Sequence, residues 1–438
     1  MNNTNKEIAM GYRAYIASTL LALLMITGCT TNPVTGASEL SLISPTQELS
    51  IGAQQYAPSQ QSQGGQYTLD PELTLYVSEV GKKLAAVSGR PDLPYEFVVL
   101  NNDVPNAWAL PGGKIAINRG LISKLEDEAQ LAAVLAHEIV HAAAGHSAQQ
   151  MTQGMLLGMG GQIAGIIGSQ AGYGELIGMG SQLGSALIQS RYGRDKELEA
   201  DHYGMKYMAR VGYEPEAAVE LQETFVKLSE GRNSNWLEGL FASHPPSAER
   251  VIANRNYAAK LTPGVRNKQA FQRAVRQVKK DQAAYDANQQ ALKAAGNGNL
   301  DEALSLVNKA IRAQPKETLF YATKGQFQLK QKDFKGALNS FNQAHKLYPE
   351  YFLPLLGSGI AAQQMKSYAR AEQDLVESSN LLPTQIAAFH LGEVTLAQDK
   401  KSEAIRYFQQ AAQGGGEIGQ ASQAYLQKLT TNSQQGSN

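Results

Sequence analysis

Two histidines four residues apart, the first followed directly by a glutamate, stand within Leu131-Ala-Ala-Val-Leu-Ala-His-Glu-Ile-Val-His-Ala-Ala-Ala. A run this apolar reads as a mostly buried helix. On a helix, four residues correspond to about 40° of rotation and one turn of rise, so the imidazoles of His137 and His141 emerge on one side and can chelate a single ion. Glu138 lies about 100° round from His137, near enough to reach a water on that ion but poorly placed to join the same ligand face. A catalytic zinc takes three protein ligands and keeps one position open. Glu197-Leu-Glu-Ala-Asp201 supplies the third ligand from a second helix. Glu197 and Asp201 share a face there, which assigns Glu197 to the metal and Asp201 to the layer behind it, accepting a proton from a ligand imidazole and fixing its tautomer. Glu199 points elsewhere and reads as a surface charge. His146, nine residues after His137, falls near the opposite face of a continuous helix and reads as structural or solvent-facing, and His202 as packing or surface. Two imidazoles and a carboxylate suit one zinc per chain. The chemistry expected of them is metal-assisted hydrolysis, with Glu138 as the base that takes a proton from water and returns it to the leaving group.

The elements that must position these residues are legible on either side. Ser44 and Pro45 mark the N-cap and opening position of a first helix, and a second is expected through Leu73 to Leu84. Tyr95–Leu100 and Lys114–Asn118 have strand character and flank a turn region, Asn101 to Gly113. Ser123 with Glu126 fits a capping box, which predicts that the metal helix begins there. Gly154 to Gly193 mixes glycines with Met, Leu and Ile, but Gln162, Gln170, Glu175 and Gln182 recur too often for a lipid-exposed span. That segment is expected as a cover over the cleft or a helical hairpin against it.

Further along, Ala303, Ala337, Ala371 and Ala404 recur in step with Pro315, Pro349 and Pro383. This is the tetratricopeptide period, in which small residues let paired helices approach and proline closes the second helix. The fold class expected is therefore mainly α, with a small β-sheet in a zinc peptidase domain over residues 44–262 and an all-α tetratricopeptide solenoid over 284–420. A basic connector helix at 263–283 joins them, and 421–438 reads as a disordered tail. The 438 residues exceed one compact core. With 39 basic and 39 acidic side chains, no global field draws the chain to nucleic acid.

At the N-terminus, Lys6, Arg13 and the apolar run Ala14 to Ile26 read as an export leader, residues 1–28. It ends in Ile26-Thr-Gly-Cys29, which resembles a bacterial lipoprotein box. Cys29, the single cysteine, is the expected lipidation site, with 29–43 as a tether. Two or more acyl chains would hold the protein on a membrane without crossing it, and Thr30 after the cysteine favours the outer membrane.

The His-Glu-x-x-His motif, the later Glu-x-x-Ala-Asp and the earlier Asn106-Ala-Trp-Ala-Leu-Pro-Gly-Gly113 together resemble the gluzincin peptidase family that includes HtpX and the CAAX prenyl proteases. The resemblance covers most of residues 44 to 420 and implies zinc-dependent hydrolysis of peptide bonds. It implies that Asn106 to Asn118, with Asn106, Gly112, Gly113, Ile115 and Ile117, is the edge strand on which a substrate lies extended. His244-Pro-Pro and Arg250 match a histidine and an arginine that approach the active site in the family. There His244 either stabilises the oxyanion or fills the open metal position as a latch. Repeat-bearing relatives imply quality control on the periplasmic side of the outer membrane. Unfolded or stalled β-barrel outer-membrane proteins and the β-barrel assembly machinery are the implied partners. The alternative is a lipid-anchored assembly chaperone or scaffold whose zinc site is latent or structural.

Overall fold

Ser44 caps the first helix, Pro45–Ser62, in a reciprocal box with Gln47, and Pro45 stands where its missing N–H costs nothing. A second helix, Pro71–Ala85, follows. The computed structural model describes residues 29–156, 191–230 and 243–435, a mainly α chain with two small sheets. The expected leader at 1–28 and most of the glycine-rich segment lie outside the described residues. No described helix is long and apolar enough to cross a membrane.

The stretch expected as a tether is folded. β1, Cys29–Thr31, pairs antiparallel with β2, Ser38–Leu40. Asn32 shapes the turn between them, because its side-chain oxygen accepts from the N–H groups of Val34 and Thr35. Small polar residues here encode a turn rather than a flexible leash.

The second sheet holds β3, Glu96–Leu100, β4, Ala107–Leu110, and β5, Lys114–Asn118, in the order β3-β5-β4. β3 runs parallel to β5 and β4 antiparallel to it. The substrate-strand assignment must therefore be corrected for Ile115 and Ile117. They sit on the central strand, fully buried and paired on both sides, and cannot offer a free edge. Among the described residues β4 is the edge beside the metal helix, against which Ala107 and Ala109 pack. Gly112 and Gly113 form the tight turn into β5, at φ 74° and 80°, a region that favours glycine.

The metal helix runs Glu128–Ala143. It starts later than the Ser123 capping box predicts, because Asp127 is the residue whose side chain accepts from the N–H of Gln130. Ser123 instead ends a short helix, Arg119–Ile122. Gly145, at φ 69°, stops the metal helix, and a new one starts at His146 and runs to Leu156. Helix Arg194–Arg210 crosses the metal helix closely at Gly204, where a Cβ would stand 3.3 Å from the backbone nitrogen of His137. Helices Glu216–Glu230 and Ala248–Ala258 complete the layer around the site.

The connector is two helices, Lys268–Ala274 and Arg276–Gly296, and Phe271, Val278 and the intervening Val275 are fully buried. The second of them pairs with Leu300–Ala313 as the first hairpin of the array, followed by three further hairpins through Ala412. The repeating alanines Ala303, Ala337, Ala371 and Ala404 are fully buried. Phe341 lies against Gly325 and Gly357, and Phe408 against Gly392, so the small residues clear space for rings from the partner helix. The expected disordered tail is mostly helix, Gly416–Gln435. Tyr425 anchors it, stacked on Phe408 at 4.4 Å and donating to Glu393 at 3.0 Å.

A polar joint seats the array on the peptidase domain. Arg119, fully buried, lies over the ring of Tyr285 at 3.3 Å and pairs with Asp103. Glu317 accepts from Asn101 at 2.9 Å and from the Tyr285 hydroxyl.

Candidate metal centre

One turn of helix brings His137 Nε2 and His141 Nε2 to 3.0 Å from each other, and the crossing at Gly204 delivers Glu197 to 3.5–3.6 Å from both. His244, buried, adds Nδ1 at 3.2 Å from His137 Nε2 and 2.9 Å from Glu197. Donor atoms of His137, His141, Glu197 and His244 all lie within 4.8 Å of one another, a cluster able to bind a metal. Asp201, expected behind the ligands, accepts from His137 Nδ1 at 3.0 Å. Arg250 grips Asp201 through two nitrogens at 2.7 Å and reaches Glu197 at 2.7 Å, and Asn254 donates to Asp201 at 3.1 Å.

The electrostatics follow from burial and these contacts. Burial pushes the His141 imidazole well below its usual range, which favours the neutral form that ligates. For Glu197, burial acts upward but is outweighed by His244, His141 and His137 together, so the carboxyl is held well below normal. Asp201 is likewise held down against burial, chiefly by Arg250. Glu138 behaves oppositely, because burial raises it despite the neighbouring His244 and His137. A raised carboxyl beside a depressed one is the division expected of a proton-transferring base and a ligand. His244 is raised, since Glu197 and Glu138 together outweigh its burial.

Sequence reasoning misplaced two groups and missed a third. His146 is buried, with Nδ1 at 2.8 Å from His141 Nδ1, because Gly145 ends the metal helix and the nine-residue rotation no longer applies. Ala-Ala-Ala-Gly145 was the readable signal for that stop. Glu199 is not a free surface charge; it faces His146 Nε2 at 3.3 Å and accepts from Asn32 at 2.8 Å. Tyr192 stacks on His141 at 3.9 Å and had no sequence signal. His202 stacks on Tyr257 at 3.7 Å, as a packing residue should.

Residues 71–258 match the model of peptidase family M48. Metalloprotease YcaL of Escherichia coli K12 is 31% identical over 187 residues, covering 40% of this chain and 68% of that protein. The chain belongs to peptidase family M48. A mitochondrial metalloendopeptidase of Schizosaccharomyces pombe is 37% identical over 190 residues, 41% of this chain and 51% of the relative. The β-barrel assembly-enhancing protease of Escherichia coli K12 is 28% identical over 242 residues, 54% of this chain and 48% of the relative. The chain thus spans about half the length of the last two.

The M48 metal is zinc, and the donors present fit it. With the outer nitrogens of His137 and His141 turned to Asp201 and His146, two imidazole lone pairs face each other at 3.0 Å, an arrangement that a cation satisfies. Oε2 of Glu138, buried beside them, has no hydrogen-bond partner among the described residues. Next to Glu138 and His244 opens a recess lined by Val134, Met205, Met208, Leu221 and Phe225.

Proposed function

We propose that this chain is a zinc endopeptidase that cuts unfolded or stalled β-barrel outer-membrane proteins, with the repeat array holding the substrate or the assembly machinery. The observation that carries the reading is the meeting of His137, His141 and Glu197 around one point, with the proton-accepting Glu138 buried alongside. Zinc held by those three residues supplies Lewis acidity toward water and the scissile carbonyl. Glu138 takes the proton from water and returns it to the departing amine. The substrate lies extended along β4, after Asn106 and before the Gly112–Gly113 turn, and a neighbouring apolar side chain enters the recess beside Glu138. Asp201 and Arg250 hold His137 and Glu197 in register. The name of the Escherichia coli relative supports the substrate class, and the Cys29 box supports lipid anchoring at the periplasmic face of the outer membrane.

His244 makes the resting site latent. Its Nδ1 stands among the ligand atoms, where in the neutral form, which a bound cation favours, it competes for the position that water must take. His244→Ala is expected to increase casein cleavage several-fold with zinc retained; a fall in turnover with zinc retained would assign it to the oxyanion instead. The substrate class is tested by in-cell crosslinking of a Glu138→Gln trap. Recovery of β-barrel precursors supports it, whereas recovery of the same precursors by a His137→Ala, metal-free variant would favour a scaffold.

A further inference from the structure

Asp201 and Arg250 secure His137 and Glu197, and a second, separate chain of contacts secures the remaining ligand, His141. His141 presents Nε2 toward His137 and Glu197, so as a ligand it carries its proton on Nδ1. That proton points at His146 Nδ1, 2.8 Å away, which must therefore accept. His146 then keeps its own proton on Nε2, which lies at an ion-pair separation of 3.3 Å from Glu199 without the alignment of a hydrogen bond. Each assignment forces the next. Glu199 is in turn held by Asn32 at 2.8 Å, and Lys196 lies 3.5 Å from its other oxygen. Asn32, 1% exposed, also donates to Glu39 at 3.3 Å, and Glu39 pairs with Lys196 and Gln149.

We infer that Asn32, Glu199 and His146 form a positioning relay that orients His141 for metal binding, so that the N-terminal β-hairpin completes the back wall of the metal centre. The inference rests on the metal assignment made above but concerns different residues. It also gives the folded segment 29–40 a task. The hairpin buries an asparagine against a carboxylate that it shares, among the described residues, with a lysine and a histidine, and in this position the asparagine fixes which way the carboxylate faces. His146 is a positioning residue: it touches a ligand and not the reacting atoms.

The test is zinc affinity of the full chain by chelator competition, alongside unfolding of the metal-free protein and the absorption spectrum of the cobalt-loaded form. His146→Phe removes the acceptor for His141 Nδ1–H and should weaken zinc binding about 10-fold to 100-fold and alter the cobalt spectrum. His146→Gln, whose amide can accept from His141 and donate to Glu199, should restore affinity to within a few-fold of wild type. Asn32→Ala should cost less, about 3-fold to 10-fold, and nothing further in the His146→Phe background, as members of one relay must behave. Wild-type affinity in His146→Phe, equal losses in the Phe and Gln variants, or a fully additive Asn32→Ala effect would each overturn the relay. If His146→Phe fails to fold, Glu199→Ala and Asn32→Ala carry the same comparison. Failure of the underlying metal reading looks different: the wild type would bind no zinc, or His137→Ala would bind it as tightly.

Discussion

The metal centre and the repeat array reach stability by opposite routes. Around His137 the buried groups are polar and charged, drawn from segments far apart in sequence, and each is kept in place by a named partner such as Asp201, Arg250 or His146. In the array the buried groups are mostly apolar, with alanine, glycine and phenylalanine repeated at fixed spacing and meeting mainly the next helix. In the first region a single side chain can hold several others, as Arg250 holds both Asp201 and Glu197, so its loss strands more than one buried charge. In the second, each contact is one of a series, and damage should stay local.

Predictions that sharpen this contrast run from large effects to small. Glu138→Gln should lower peptide hydrolysis by about 100-fold to 10,000-fold while close to one zinc per chain remains, measured by casein cleavage and metal content together. Retained cleavage would remove Glu138 from the chemistry. Arg250→Ala strands two buried carboxylates and should destabilise the metal-free protein by about 3–5 kcal/mol in urea unfolding. A loss below 1 kcal/mol would mean the carboxylates find other partners. Ala371→Leu overfills a fully buried repeat position and should cost about 1–3 kcal/mol, without change in zinc affinity. Zinc loss in that variant would break the claim that array damage stays local.

The joint between the regions yields the smallest effect. Burial raises the Glu317 carboxyl, outweighing its hydrogen bonds to Tyr285, Leu319 and Asn101. The folded state then holds a proton that the unfolded chain has released, so stability falls as pH rises from the unfolded carboxyl value of about 4.3 to the raised folded value, and levels off above it. Glu317→Gln should flatten that slope in pH-dependent urea unfolding. An unchanged slope would show that Glu317 is ionised throughout.

How much of this was legible in the sequence depended on whether the information was local. His137, His141 and Ser44 are fixed by spacing and capping within one helix, and the array by a period that repeats along the chain. The approach of Glu197 to the histidines was inferred from a motif, and the geometry that delivers it is a helix crossing at Gly204. Ile115 and Ile117 look like edge residues because alternation is the same on central and edge strands; only pairing distinguishes them. His146 was misread because a rotation count assumes an unbroken helix. The final helix was missed because its polar surface dominates its composition, and Tyr425 and its stack on Phe408 outweigh that locally.

Helix Pro45–Ser62 bears on the sheet at its middle and on the repeats at its C-terminal end. Midway along it Gly52 lies so close to the Pro111 carbonyl that a Cβ would collide with it, and one turn on Tyr56 donates to the Ile115 carbonyl at 3.1 Å. Near its end Gln61 donates to the Glu350 carbonyl at 2.6 Å and accepts from the Phe352 N–H at 3.0 Å, both between the second and third hairpins of the array. Gly52 and Gln61 are about 13 Å apart along the axis, and Pro58 between them leaves one rung of the backbone ladder unmade. The helix is thus a beam with one soft joint, clamped to the repeats at one end and leaning at its middle on the turn that follows β4. Any load that tilts the repeats is carried as thrust to the strand on which a substrate would lie.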